Sequence, residues 1–447
     1  MRKPIHSRGF TLLELLVGAA VGAVVLLGIS LTFISQAQQY QAHASRRGVQ
    51  ANARQALAFM ESTLRMAGYG VDPDRAIIPY DSFNAGADAQ DEGYPDAFVV
   101  HWRDPLFRRN VTALNATTLT VDSPPTPTEP IRRGQILMVI CSPGSGGSDQ
   151  SVESNPPHVF VTVGAYVANP QVDIPLDPTP ANAAPNSPLG APGRLFHEQT
   201  TPGFTHACFN SPIRPQVVLI NRAAFYVDLF DDDGNPATPE RTPYLMMHQG
   251  LDNPSATSAL GDGVIDRNDA VPVAEGIEQL QVAYMLDTVD TNPPIILGVD
   301  TPMGPNHYGE NWENIKPGPT ELPRGWFFNA GYPTRPFTDQ DMLTKRQDDH
   351  PANIRQVRIT LSSRSSVPDP QIVGDNLMKR RDGSDYPDGT PLANGAVPWR
   401  HWENLEVPTP DFTPSGGHFY RAILRQSISP KNLQMSRQFA PVNQGGG

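Results

Sequence analysis

The sequence predicts an α+β protein in which one long N-terminal helix packs on an antiparallel β-sheet head with long loops. Three observations lead to this fold class. An uncharged apolar run occupies residues 15–34, and apolar residues then recur at helical spacing up to Ala67. After Gly70 the pattern changes to short apolar runs separated by segments rich in proline and glycine, which number 47 and 37 in the chain.

The apolar run has the length of a membrane-spanning helix. About 20 apolar residues, each adding ~1.5 Å, are needed to cross a hydrocarbon core of ~30 Å. Glu14 stands at the start of this run, where an unpaired charge costs several kcal/mol, so we expect it to have a partner. Gly18 and Gly22, with Gly28 further along, form a small-xxx-small pattern that favours close helix contact, although glycine is common in membrane helices in general.

The second half of the helix is predicted to be amphipathic. Its apolar positions are separated by three or four residues: Val49, Ala53, Ala56, Leu57, Met60, Leu64 and Ala67. The glycines of Gly68-Tyr69-Gly70 end the pattern, because glycine readily adopts the left-handed conformation at helix C-termini. We therefore predict a continuous helix from Phe10 to Ala67, with one half in lipid and the other holding a head domain.

The head is predicted to be one sheet with surface excursions. The apolar runs that predict strands are 97–102, 117–121, 136–141, 159–163, 217–230, 280–286, 354–361 and 418–428. Segments too rich in Pro, Gly, Asn and Asp for a core are predicted as loops, chiefly 169–202, 292–336 and 382–417. Four of the five tryptophans (Trp312, Trp326, Trp399 and Trp402) lie in the last two loops. There they either contact a partner or are buried in small satellite cores.

Charge and motifs exclude several function classes. The net charge is −12, so no nucleic-acid partner is expected. No His-Glu-x-x-His motif occurs, and the glycine-rich segment after Cys141 matches neither a phosphate loop nor a nucleophile elbow. We therefore predict that the chain is not an enzyme.

Two further features are candidate sites. Cys141 and Cys208 would close a loop of about 67 residues if bridged, worth roughly 4 kcal/mol in the chain-entropy model, with two unpaired thiols as the alternative. Asp262, Asp266 and Asp269 half-match a calcium loop, but Leu260 stands where an oxygen ligand is needed, and the pattern favours an acidic turn. Apart from calcium, no cofactor is expected.

The N-terminal sequence resembles a known class of signal. Basic residues lead to Gly9-Phe10-Thr11-Leu12-Leu13-Glu14 directly before the apolar run, without a small-residue cleavage site beyond that run. This resembles the class III signal of type IV prepilins; the alternative is an ordinary signal anchor with an isolated glutamate. The resemblance implies cleavage between Gly9 and Phe10 by a prepilin peptidase and N-methylation of Phe10. It also implies that Glu14 pairs with the Phe10 amine of a neighbouring subunit.

Further segments resemble PilW-type minor pilins. They occur in the family's order: Leu64–Tyr69, Gly134–Cys141, Phe225–Val227 with Pro243–Leu245, Val273–Tyr284, Val357–Leu361 and Tyr420–Leu433. The long loops 292–336 and 382–417 have no counterpart. The resemblance implies a pilin-like fold divided into a leader (1–9), a membrane and assembly half-helix (10–34), an amphipathic half-helix (35–70) and a head (71–447).

The implied function is that of a minor pilin that primes fibre assembly and stays at the tip. Its partners would be other minor and major pilins, the inner-membrane assembly platform and a large tip adhesin. With the basic leader inside the cell, the head lies in the periplasm before assembly and at the cell surface afterwards. The alternatives are a J-type minor pseudopilin of a type II secretion system and an adhesin that binds through its tryptophan-rich loops.

Overall fold

The computed structural model describes eleven stretches of the chain. They are residues 11–71, 73–80, 95–126, 130–140, 158–177, 215–230, 242–254, 261–286, 296–297, 354–365 and 421–435. Both predicted halves of the N-terminal helix and most of the predicted strands fall within them.

Helix α1 spans Leu12–Leu64, a length of 53 residues or about 80 Å at ~1.5 Å per residue. Its N-cap is Thr11, and its first helical residue, Leu12, lies two residues after the predicted start at Phe10. It ends at the C-cap Arg65, slightly before the predicted Ala67. Residues 65–70 form turns in which Gly68 (φ +74°) and Gly70 (φ +63°) adopt the left-handed conformation, as predicted for the helix end.

The head contains two antiparallel sheets rather than the single sheet predicted. Its strands are β1 (Ile77–Tyr80), β2 (Ala97–Leu114), β3 (Thr118–Val121), β4 (Ile136–Ile140), β5 (His158–Thr162), β6 (Asp173–Pro175), β7 (Gln216–Phe230), β8 (Thr242–His248), β9 (Val271–Glu275), β10 (Ile277–Leu286), β11 (Ile296–Leu297), β12 (Ile354–Arg364) and β13 (Arg421–Ile428). The first nine form one sheet along the path β5-β4-β7-β2-β3-β6, with β1 on β2 and β8 and β9 continuing from β7. The last four form the second sheet, ordered β11-β10-β12-β13.

Strands β4, β5 and β7 are buried on both faces, which explains their nearly continuous apolar runs. On β4, Ile136 and Met138 point into a core shared with α1, which we call the helix-side core. Leu137 and Val139 point the opposite way, into a second core formed with β3 and β6, which we call the far-side core. The sheet therefore lies between two apolar layers, a feature that the run of five apolar residues does not itself specify.

The second sheet closes the helix-side core. Inward residues of β10 and β12 join the same cluster as the α1 stripe: Leu280, Val282, Tyr284, Val357, Ile359 and Leu361. The hairpin that the resemblance implied between residues 225–227 and 243–245 is present, since β7 and β8 pair with Val227 opposite Leu245.

Two predicted loop boundaries are wrong. Strand β6 lies inside the predicted loop 169–202, where Ile174 is buried and opposite Leu119 of β3. The two residues of β11 lie inside the predicted loop 292–336 and pair with Tyr284 and Met285 of β10. Strands of two or three residues carry too little periodic signal to be separated from loops, and only cross-strand pairing reveals them.

Two short helices complete the described fold. Helix α2 (Pro73–Ala76) follows the turns after α1, and helix α3 (Lys431–Met435) follows β13.

Candidate functional site

The first half of α1 is not covered by any other part of the chain that the structure describes. Among the described residues one helix is long and apolar enough to cross a membrane, and the qualifying segment is Leu12–Ala37. All of its residues are exposed. Thr32 donates its hydroxyl to the carbonyl of Gly28 at 2.9 Å, so this hydroxyl is satisfied inside the helix. Such a segment is stable only in lipid or against similar helices.

Glu14 is held by a capping box at the start of α1. Its Oε2 accepts hydrogen bonds from the backbone N and the Oγ1 of Thr11, both at 3.0 Å, and its own backbone N donates to Thr11 Oγ1 at 3.2 Å. Thr11 thus supplies hydrogen-bond donors to the carboxylate but no positive charge. The helix N-terminus favours an anion at this position, yet a full charge in lipid calls for a counter-ion as well.

The three glycines of the membrane half leave room for another helix. A Cβ built on Gly18, Gly22 or Gly28 would meet no atom of this chain within 4 Å. Close approach at these positions stays a prediction, since it requires a second helix.

The second half of α1 is the part that the head holds. Every residue of the predicted apolar stripe is buried, from Val49 to Ala67. The rings of Phe59 and Phe225 meet edge to face at 6.0 Å, and the Asn52 amide donates to the Glu275 carbonyl at 3.4 Å. The head therefore fixes the direction in which the apolar half extends.

The short helix α3 after β13 contacts the end of α1. Asn432 Nδ2 lies 3.3 Å from each of the carbonyl oxygens of Arg65, Met66 and Ala67, at a helix end where carbonyls lack helical partners. The Met66 carbonyl also accepts from the Tyr69 N–H at 3.0 Å. The side chain of Leu433 is buried, and a Cβ on Gly68 would lie 2.6 Å from its Cδ2.

A side-chain bond adds to this contact. Gln426 donates to Glu61 at 2.6 Å, and this bond, together with one from Arg65, holds the pKa of Glu61 below its ordinary value. The resemblance had marked the segment around Asn432 without indicating its contact with α1.

Two buried histidines lie beside buried arginines in the head. His248 accepts a bond from the Gly250 N–H at Nδ1 (2.8 Å), so its Nε2 carries the proton that is donated to the Asp266 carbonyl (2.7 Å). Burial, followed by the charge of Arg222, lowers the pKa of His248 to about 4. Burial and the same arginine lower the pKa of His101. Nothing in their sequence context had marked these histidines, because their burial depends on long-range packing.

The predicted calcium candidates bind backbone amides. Asp262 accepts from Val264 N, Asp266 caps the 3-10 turn Arg267–Asp269, and Asp269 accepts from Asn253 N and Asp266 N. Within the described stretches, no group of three or more His, Cys, Asp or Glu side chains could hold a metal ion. Calcium binding stays a prediction, which melting temperatures measured with and without a chelator would test.

The remaining predicted site residues lie outside the described stretches. They are Gly9 and Phe10 at the cleavage position, Cys141 and Cys208, and the four loop tryptophans. Cleavage, methylation and the disulfide therefore stay predictions.

Comparison with known proteins supports the interpretation of the N-terminus. Residues 5–30 match the family model described as the prokaryotic N-terminal methylation motif. No curated protein matches the chain. Among solved structures, the chain is similar to the type IV-like pilin TTHA1219 from Thermus thermophilus, with 13% identity and a TM-score of 0.15 over 47% of this chain and 78% of that one. At that TM-score no residue of the head can be equated between the two proteins.

The motif implies processing by a prepilin peptidase and pilin-type partners in general, and it is typical of structural subunits rather than enzymes. The apolar helix that follows fits a membrane-anchored subunit. The chain carries the prokaryotic N-terminal methylation motif, at residues 5–30, on an apolar helix joined to an α+β head.

Proposed function

We propose that the chain is a minor pilin that is cleaved after Gly9, methylated on Phe10 and incorporated at the tip of a type IV pilus. The observation that carries this proposal is the contrast within α1. Its first 26 residues are mostly apolar and all exposed, whereas the stripe on its second half is buried in the head. A helix of this kind serves as a membrane anchor before assembly and as a packing element afterwards.

The bonding of Glu14 supports a neighbouring subunit as its partner. Among the residues that the structure describes, its carboxylate receives donors from Thr11 and no counter-charge. A free amine at Phe10 of an adjacent subunit would supply that charge only after the leader has been removed. Processing and assembly are then linked through one ion pair.

The size of the chain supports the tip position. The head begins after Gly70 of 447 residues, and the predicted loops 292–336 and 382–417 are long. Bulky loops would obstruct the close packing of subunits along a fibre shaft, whereas a subunit at the tip has one side without neighbours.

N-terminal processing is tested by mass spectrometry of the protein recovered from cells with an active prepilin peptidase. We expect a mature chain that begins with methylated Phe10, and we expect Gly9→Val to retain the leader. Protein that begins at Met1 in the unaltered chain would contradict the proposal.

The location is tested by immunogold labelling of fibres. We expect label at fibre ends; label along the whole fibre would contradict the tip position. Normal pili together with a protein-secretion defect in a deletion strain would instead indicate a secretion pseudopilin.

A further inference from the structure

Strand β2 contains an exposed apolar turn within its pairing to β7. Arg103 is opposite Ile220, and the next paired residue, Arg108, is opposite Val218. Four residues of β2 (Asp104-Pro105-Leu106-Phe107) therefore face the single residue Leu219, so the chain must bulge outward. Leu106 stands in this bulge with 84% of its surface exposed, the highest exposure of any large apolar residue described outside the membrane half of α1.

The turn is held in one conformation. The Asp104 carboxylate accepts bonds from the backbone N of Leu106 (2.7 Å) and of Phe107 (3.1 Å), which is the pattern of an Asx turn. The Asn221 amide of β7 lies 3.5 Å from the other carboxylate oxygen. Phe107 packs against the far-side core. Leu106 is therefore presented on a firmly anchored turn, so little conformational entropy is lost when it is covered.

The sequence around Leu106 is basic, although the whole chain has a net charge of −12. Arg103, Arg108 and Arg109 lie within seven residues of sequence, and the only acid among them, Asp104, is occupied by the turn. The Arg109 guanidinium lies over the Phe107 ring, 5.2 Å from its centre. The Nε of Arg108 donates a hydrogen bond to the side-chain oxygen of Gln216 on β7, at 2.8 Å.

The location of this turn excludes the membrane surface as its partner. Arg103 N donates to the Tyr69 carbonyl at 2.7 Å, so the turn lies near the end of α1 that is farthest from the membrane half. The 27 residues from Gln38 to Leu64 place that end about 40 Å beyond the apolar segment at ~1.5 Å per residue. Electrostatic attraction to lipid headgroups is screened within about 10 Å.

We propose that the Leu106 turn docks on an acidic face, with an apolar pocket, of a neighbouring pilin-type subunit that differs in sequence from this chain. The exposed Arg108, with the half-buried Arg103 and Arg109 near it in sequence, complements carboxylates, and Leu106 fills the pocket. A nucleic acid fits less well because a phosphate backbone offers no complement to the leucine. This inference rests on the proposed function, since it places the turn between subunits of a fibre.

The test uses the full chain in cells that make fibres, with a photoreactive aromatic amino acid in place of Leu106 and, as the matched control, in place of the exposed Ala113 of the same strand. After irradiation, sheared fibres are analysed by mass spectrometry. We expect an adduct at position 106 that joins an Asp- and Glu-rich peptide of another subunit with its own prepilin-type N-terminus. In the same background, Arg108→Glu should reduce the adduct about tenfold, as expected for the loss of one well-packed interface side chain, whereas Arg108→Lys should retain most of it.

Several results would overturn the inference. They are an adduct no stronger than that at Ala113, or an adduct with lipid, with nucleic acid, with a second copy of this chain or with a neutral or basic peptide. If the chain is processed and present in fibres while the adduct is missing, the docking surface fails and the proposed function stands. If the unaltered chain is unprocessed or absent from fibres, both fail.

A second variant does not depend on the photoreactive group. Leu106→Asp should reduce incorporation into fibres about tenfold, with Ala113→Asp as the control for the added charge. Leu106 is exposed, so its replacement should leave the melting temperature of the head unchanged. Normal incorporation of Leu106→Asp would count against the proposal.

Discussion

The two halves of helix α1 have the same backbone geometry and opposite surroundings. From Leu12 to Ala37 every side chain is exposed and nearly every one is apolar. From Val49 onward the helix carries one apolar stripe, which the head buries, and the other residues of the helix are exposed or half-buried. A helix that is apolar on all sides is stable in lipid or among other helices, whereas a helix with a single apolar stripe packs that one face against a core.

This contrast shows that one continuous helix can connect two independent kinds of stability. Substitutions in the first half should affect membrane anchoring and assembly, which require other molecules. Substitutions in the second half should affect folding of the head within one chain. Each of the following predictions tests that separation.

The largest effect, a loss of incorporation into fibres, is expected from Glu14→Gln. The amide oxygen can still accept from Thr11, so the helix start is kept while the charge is removed. Loss of one partner of a buried ion pair costs about 3–5 kcal/mol, so incorporation into fibres should be nearly abolished. Immunoblots that compare the amount of the protein in sheared fibres with the amount in whole cells measure this incorporation.

The matched control is Thr11→Ala, which keeps the charge and removes the cap. Loss of an N-cap costs about 0.5–2 kcal/mol, so incorporation should fall much less. If the two variants behaved alike, hydrogen bonding rather than charge would be the property that matters at Glu14.

The second effect is expected from Met60→Ala in the packed half. Met60 is fully buried in the helix-side core, and its truncation should lower the free energy of unfolding of the head by about 2–5 kcal/mol. The measurement is denaturation of the full chain in detergent, followed by near-ultraviolet circular dichroism. The control, Leu16→Ala in the exposed half, should change this value by less than about 0.5 kcal/mol.

The third effect is a loss of head stability when the pH is lowered. The pKa of His248 is about 4 in the folded chain against an ordinary value of 6.5, so between these values the unfolded state binds more protons and the head loses stability as the pH falls. The full difference is on the order of 3 kcal/mol. Near-ultraviolet circular dichroism in detergent should decline while the helical signal of the membrane half persists. An unchanged head at pH 4 would contradict burial of the neutral histidine.

The smallest effect is expected from Asn432→Ala. Three carbonyls at the end of α1 lose their shared donor, and a hydrogen bond of this kind contributes about 1 kcal/mol. Chemical denaturation should show this loss, and Lys431→Ala, an exposed neighbour, should show none. Equal effects would mean that the contact acts through helix α3 as a whole rather than through the amide.

Much of the helix and several strands could be predicted from sequence because their signals are local. The stripe from Val49 to Ala67 and the runs that became β4 and β7 are periodic or continuous over several residues. The sequence could not predict the second sheet, the far-side core or the short strands β6 and β11, because these depend on pairing between distant segments. The bulge that exposes Leu106 belongs to the same class, because only its pairing with β7 reveals it.

Consecutive residues were enough to indicate a prepilin-type motif on a membrane-length helix, and the Thr11-x-x-Glu14 spacing is itself the pattern of a capping box. Only packing between distant segments brought Asn432 onto the end of α1 and made β2 bulge so that it exposes Leu106. The two kinds of information differ in the sequence distance over which they act. Hydropathy acts through neighbours in sequence, whereas burial and hydrogen bonding act through neighbours in space.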